Sequence, residues 1–185
     1  MGATVQTSPR VLPRAVSYAE VALPGAAIGL LSGAFAAGVA ALAHLPAGMV
    51  AAIGVGLGVP LALFGMLYCV LLAAGRVGVG AVGPVALLWL VGFPLSRLVD
   101  EFVVAQAIGQ ESVLREPLAS FLLFQAMLSL GYAIGFLWLH ERLAPRWLLR
   151  ITGHNDVAAT LVARYVEHVS SVGARRRERA ADRGR

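Results

Sequence analysis

The sequence predicts an all-α, polytopic membrane protein: a bundle of four transmembrane helices followed by a cytoplasmic amphipathic C-terminal helix. Three observations predict it. Of the 185 residues, 58% are hydrophobic and only 14% charged, whereas a soluble domain carries about 25% charged residues. The charges are segregated, with no Asp, Glu or Arg in the 55 residues between Glu20 and Arg76. All 15 basic residues are Arg, and those near the apolar runs gather on alternate connections. This composition excludes a soluble enzyme and a disordered chain. The single cysteine, Cys69, excludes a disulfide framework and a Cys-built metal centre.

Residues 1–20 form a tail carrying Arg10 and Arg14. Those two Arg and the small residues Ala41-Leu42-Ala43 also fit a cleaved signal peptide. Against cleavage, the tail is long and carries Pro9 and Pro13, Pro24 interrupts the start of the apolar run, and that run feeds straight into a second one. The start Met1-Gly2-Ala3-Thr4-Val5-Gln6 lacks the Ser or Thr that a myristoylation signal needs at position 6.

The membrane domain is predicted over 21–142. As one helix, the uncharged stretch after Glu20 would be about 80 Å long, against a hydrocarbon core of about 30 Å. It must cross twice, turning at His44-Leu45-Pro46-Ala47-Gly48. Span 1 then covers about 21–43 and span 2 about 49–75. The 20 uncharged residues from Val77 to Ser96 make span 3, about 77–96. The 23 from Pro117 to Leu139 make span 4, about 117–140, with Pro117 suited to a first helical turn. Helices pair every backbone polar group within the segment, as hydrocarbon requires. The runs lack the two-residue alternation of barrel strands.

Rows of small residues punctuate these spans. Gly25, Gly29 and Gly33 stand four apart, Gly54 and Gly58 repeat the spacing on span 2, and Gly131 and Gly135 on span 4. Every fourth residue falls on nearly one face of a helix, and a strip of small residues lets another backbone approach closely. The partner helix can belong to the same chain or to a neighbour. Gly78, Gly80 and Gly83 fit G-x-G-x-x-G, but a dinucleotide site needs a strand before the motif. Here a span precedes it, so the glycines are expected to open span 3.

Arg97, Asp100 and Glu101 follow Phe93-Pro94-Leu95-Ser96, which looks like the end of span 3. On a helix Arg97 faces both acids, at i+3 and i+4. The expectation is a helix lying in the outer headgroup layer with self-paired charges, or else a polar pocket facing the outer leaflet. Gln125, Ser129 and Tyr132 share one face of span 4, for interhelical hydrogen bonds or a polar path descending from Glu116. No His spacing suits a metal, His140-Glu141 is not H-E-x-x-H, and no Ser, Cys or Thr sits in a nucleophile motif. No catalytic, cofactor or metal residues are expected.

Residues 143–185 are read as a cytoplasmic helix and an Arg-rich tail. Ala144-Pro145-Arg146-Trp147-Leu148-Leu149-Arg150 suits the headgroup layer. After Gly153, Asn155 or Asp156 is placed to cap a new helix, expected to end near Gly173. Val157, Leu161, Tyr165 and Val169 advance by four, making a stripe expected to dock on a partner or on the chain's own loops. The run from Arg175 is a solvated terminus or a contact for anionic lipid; without interleaved aromatics, nucleic acid is not an expected partner.

Six Arg (10, 14, 76, 142, 146 and 150) lie on one side and only Arg97 and Arg115 on the other, so the positive-inside rule places both termini in the cytoplasm. The expected function is a small non-catalytic subunit or scaffold of a cell membrane. It would pack against lipids and other membrane helices and present its C-terminal helix to a partner. A small oligomeric transporter or channel using the outer charged cluster and span 4 is the alternative. An enzyme acting on a lipid headgroup, with Asp100 or Glu101 as base, comes third.

Overall fold

The computed structural model describes residues 13–183, excepting the side chains of 175–181 and 183. Arg10, the residues before it and the side chains of the Arg175–Arg177 run lie outside the described residues. The described chain is all-helical: α1 (Arg14–Leu42), α2 (Ala47–Ala73), α3 (Val82–Ile108), α4 (Leu118–Ile151) and α5 (Asp156–Arg183). The first four are long and apolar enough to cross a membrane. Their outer faces carry Phe35, Leu42, Leu63, Leu87, Met127 and Ile134, all well exposed, as hydrocarbon-facing side chains must be.

The helices run antiparallel in sequence order, α1 on α2, α2 on α3 and α3 on α4, with α4 returning to α1. The α1–α2 seam is built from small residues. A Cβ placed on Gly25 would run into the Gly65 backbone, one on Gly29 into Ala62, and one on Gly33 into Gly58. Gly54 faces the Ala37 methyl, 3.1 Å from where its own Cβ would be. Backbones this close gain dispersion contacts along the whole seam, which drives association where lipid supplies no hydrophobic force. Gly131 and Gly135 depart from the expectation. Each would gain a Cβ with no atom within 4 Å, and both are exposed, so they pack against no helix of this chain. The same spacing occurs on both helices, but α4 turns this face outward and buries Gln125, Ser129, Ala133 and Phe136 instead.

Each of the four bundle helices contains an internal proline: Pro24, Pro60, Pro94 and Pro145. Proline removes one N–H and leaves the carbonyl four residues earlier without its partner. At Pro24 that carbonyl belongs to Glu20, and the Trp147 indole N–H donates to it at 2.8 Å. This satisfies α1 across the bundle and lets it begin at Arg14.

Four boundaries correct the sequence reading. Span 3 does not end at Phe93–Ser96. Pro94 is accommodated and α3 continues through Arg97, Asp100 and Glu101 to Ile108. It closes at Gly109, whose φ of 66° is left-handed, with Gln110 N–H on the Ala105 carbonyl at 2.9 Å. Glycines 78 and 80 lie in the α2–α3 connection rather than in a span; Gly75 and Gly80 turn it with φ of 73° and 70°. The headgroup segment around Pro145 is the continuous end of α4, and α5 passes Gly173 to reach Arg183.

Candidate functional site

The bundle interior holds two buried polar clusters with an aromatic layer between them. Trp89, Tyr132 and Phe136 form the layer, with Trp89–Tyr132 centroids 4.6 Å apart and Trp89–Phe136 4.8 Å apart. Tyr68 meets Phe136 edge-on at 5.3 Å. These rings fill the axis.

Arg97, Asp100 and Glu101 lie on one side of that layer. One Arg97 nitrogen donates to Asp100 Oδ2 and the other to Glu101 Oε1 at 2.6 Å. Arg97 and Glu101 are part-exposed, but Asp100 is 2% exposed and its Oδ1 has no hydrogen-bond partner. Gly56 of α2 lies against it: a Cβ there would stand 3.0 Å from Oδ1. Of the predicted span-4 residues, Gln125 and Ser129 are buried, and Gln125 Oε1 is also without a partner. The Ser129 hydroxyl donates to its own helix at Ala126 O, 2.6 Å away. Tyr132 lies 3.2 Å from Ser32 Oγ; since that hydroxyl already donates to Ile28 O, Tyr132 is the donor and ties α4 to α1.

The other cluster was not legible in the sequence. Cys69 Sγ and His140 Nε2 stand 3.3 Å apart, both buried, with Tyr68 edge-on to the imidazole at 4.9 Å. Glu141 and Tyr165 lie beside them. The Tyr165 hydroxyl is pushed well above the ordinary phenol range, first by burial and then by the Glu141 carboxylate. Cys69 and His140 each sit in a helix stripe of buried residues. The sequence lacks any indication that two residues 71 positions apart are level with one another. Among the described residues no three His, Cys, Asp or Glu gather as metal ligands.

α5 seals this end of the bundle. Asn155 Oδ1 accepts from Ala158 N–H at 3.0 Å, capping the helix. Its amide nitrogen donates to Ser17 O and Glu20 Oε2, both at 2.9 Å. His154 Nε2 adds a contact to the same carboxylate at 3.1 Å. Further along, Arg164 donates to the Leu72 and Ala73 carbonyls at 3.3 and 3.1 Å, satisfying groups that the end of α2 leaves without helical partners. Of the predicted docking stripe, Leu161 and Tyr165 are buried against the bundle core and Val157 is half-buried. Val169 is 69% exposed, beside Val166 at 64%.

Two open grooves accompany these clusters. One, of about 580 Å³, lies between α5 and the α2–α3 connection and includes Gly75, Gly78, Arg164 and His168. The other, of about 730 Å³, runs between α3 and α4, is almost wholly apolar, and ends at Glu141 and Arg142. The Arg142 guanidinium lies 4.0 Å over the Trp138 ring, an arrangement suited to the headgroup level.

Fold and site together define a four-span helical membrane bundle closed at one end by its own C-terminal helix. No protein family, curated protein or solved structure matches the chain.

Proposed function

We propose that this protein is a non-catalytic integral membrane subunit that packs among other membrane helices and presents the outer half of α5 to a partner protein. The observation that carries this reading is the uneven cover of the α5 stripe. Ala158, Leu161 and Tyr165 are buried on the bundle, whereas Val166, Val169 and Val172 continue along the same helix exposed. A water-facing helix gains nothing from three exposed valines in its last apolar turns, and such a surface is characteristic of binding sites. The non-catalytic part rests on the enclosure of Cys69 and His140 and on the aromatic layer, which leaves no polar cleft at the bundle centre.

The Arg asymmetry supports a cytoplasmic location for both termini, and the Arg-only, Ala- and Gly-rich composition suits a bacterial inner membrane. The small oligomeric transporter is the second reading, favoured by one observation: a buried carboxylate, Asp100, within a membrane-spanning helix.

Docking is tested by capturing the full chain in mild detergent and identifying what accompanies it by mass spectrometry. Val166→Ser with Val169→Ser should remove protein partners and leave the bundle intact. Arg175→Gln, Arg176→Gln and Arg177→Gln together should leave the partners bound. Loss with the Arg changes but not with the Val changes would make the tail an electrostatic anchor and defeat the proposal.

A further inference from the structure

Asp100 is in the wrong place for an interfacial residue. The α2–α3 contacts pair Gly92 with Phe64 and Asp100 with Gly56, so residue numbers across that seam keep one sum. Across α3–α4, Trp89 meets Phe136 and Phe93 meets Tyr132, and the same progression sets Ser96 level with Ser129 and Asp100 level with Gln125. From this level α2 runs a further nine residues back to its start at Ala47, about 13–14 Å at 1.5 Å per residue. α3 continues to Ile108 and α4 begins at Leu118, about 10–12 Å away on the same count. The surface over that distance includes Phe35, Leu42 and Leu123, all exposed. A hydrocarbon core of about 30 Å, centred on a bundle about 40 Å long, therefore encloses Asp100.

The charges at this level do not balance. No Asp, Glu, Lys or Arg occurs in residues 21–75, 77–96 or 117–139. Neither α1 nor α2 brings a countercharge, and neither does the part of α4 that faces Asp100. Arg97 alone serves both Asp100 and Glu101, leaving one negative charge over. The hydrogen bonds do not balance either. Asp100 Oδ1 and Gln125 Oε1, on residues 2% and 6% exposed, are both acceptors without a donor. Ser96 and Ser129 have spent their protons on Gly92 O and Ala126 O, so they present lone pairs only. Pro60 has no N–H to give the Gly56 carbonyl. A buried carboxylate oxygen without a donor, in a cluster bearing one net negative charge, is costly unless a positive charge joins it.

We infer that Asp100 is a binding site for one monovalent cation, with the Gln125 amide oxygen as its second oxygen. A proton fits by making Asp100 a neutral acid that donates to Gln125. A sodium ion fits as a hard cation among oxygen ligands. Both neutralise the site and satisfy both orphaned atoms. Gly56 makes the approach of α2 possible, since any side chain there would press on the carboxylate. Cation binding at Asp100 is independent of the docking role of α5.

The test is infrared difference spectroscopy of the full chain in phosphatidylcholine nanodiscs, following the carbonyl band of protonated carboxylic acids through a pH titration. In choline chloride, a band present at neutral pH should vanish in Asp100→Asn and persist in Glu101→Gln. Gln125→Leu should shift it and weaken proton binding about tenfold, one pH unit, which also secures the assignment where Asp100→Asn does not fold. Replacing choline by sodium then separates the two sources: a titration midpoint lowered by sodium identifies the metal ion as a competitor for the site, and an unmoved midpoint identifies the proton as its occupant. An Asp100 that stays ionised at neutral pH in choline, or a band that follows Glu101 instead, overturns the inference.

Discussion

At the scale of single residues, identical spacing had opposite consequences. Gly29 stands where a Cβ would strike the Ala62 backbone, and Gly131 stands where it would meet nothing. Overpacking a closely fitted position costs about 1–3 kcal/mol, and Gly29 lies at or above the top of that range because backbone, not a flexible side chain, is in the way. Gly29→Leu should therefore lower the thermal midpoint in detergent markedly, while Gly131→Leu should leave the monomer's midpoint nearly unchanged. Equal effects at the two positions would refute the α1–α2 seam as described. The residue scale also shows how proline is tolerated in a buried helix: the Glu20 carbonyl released by Pro24 is bonded by Trp147. The row of glycines was legible because four-residue spacing is a property of one helix; which row faces inward depends on neighbours, and that was not legible.

At the scale of elements, α5 is the least conventional part. Its mean composition is polar, yet its first half behaves as core. Leu161 is almost fully buried, and truncating such a side chain typically costs about 2–5 kcal/mol. In Leu161→Ala that loss should fall on the seating of α5 rather than on the four-helix bundle. Limited proteolysis should cut α5 sooner in the variant, with the membrane-embedded fragments unchanged. If α5 is cleaved at the same rate in both proteins, Leu161 does not hold it. The helical spacing of Val157, Leu161, Tyr165 and Val169 could be read directly from the sequence. That the bundle would cover the stripe only as far as Tyr165 could not, because coverage depends on where α2 and α4 end beneath it.

At the scale of the whole molecule, four spans return the chain to the side from which it started, so both termini share a face. We propose from the Arg bias that this face is the cytoplasmic one. A fluorescent protein fused after Arg185 should fold and glow there, and a reporter active only in the periplasm should be silent at the same point. The reverse pair of results would invert the orientation while leaving the bundle as it is.

The sequence by itself determined the number of crossings, because hydrocarbon excludes charge and unpaired backbone from a continuous stretch, and that exclusion is visible along one dimension. It also determined the amphipathic character of α5 and the Asn155 break before it. Only the tertiary structure decided that α3 runs unbroken past Pro94, that Cys69 meets His140, and that Asp100 is level with Gln125 inside the bundle rather than on its rim. Each of these depends on the rotation and register of helices distant in sequence. Those quantities are fixed by close packing across the Gly25–Gly33 seam and the aromatic layer, and no local pattern carries them.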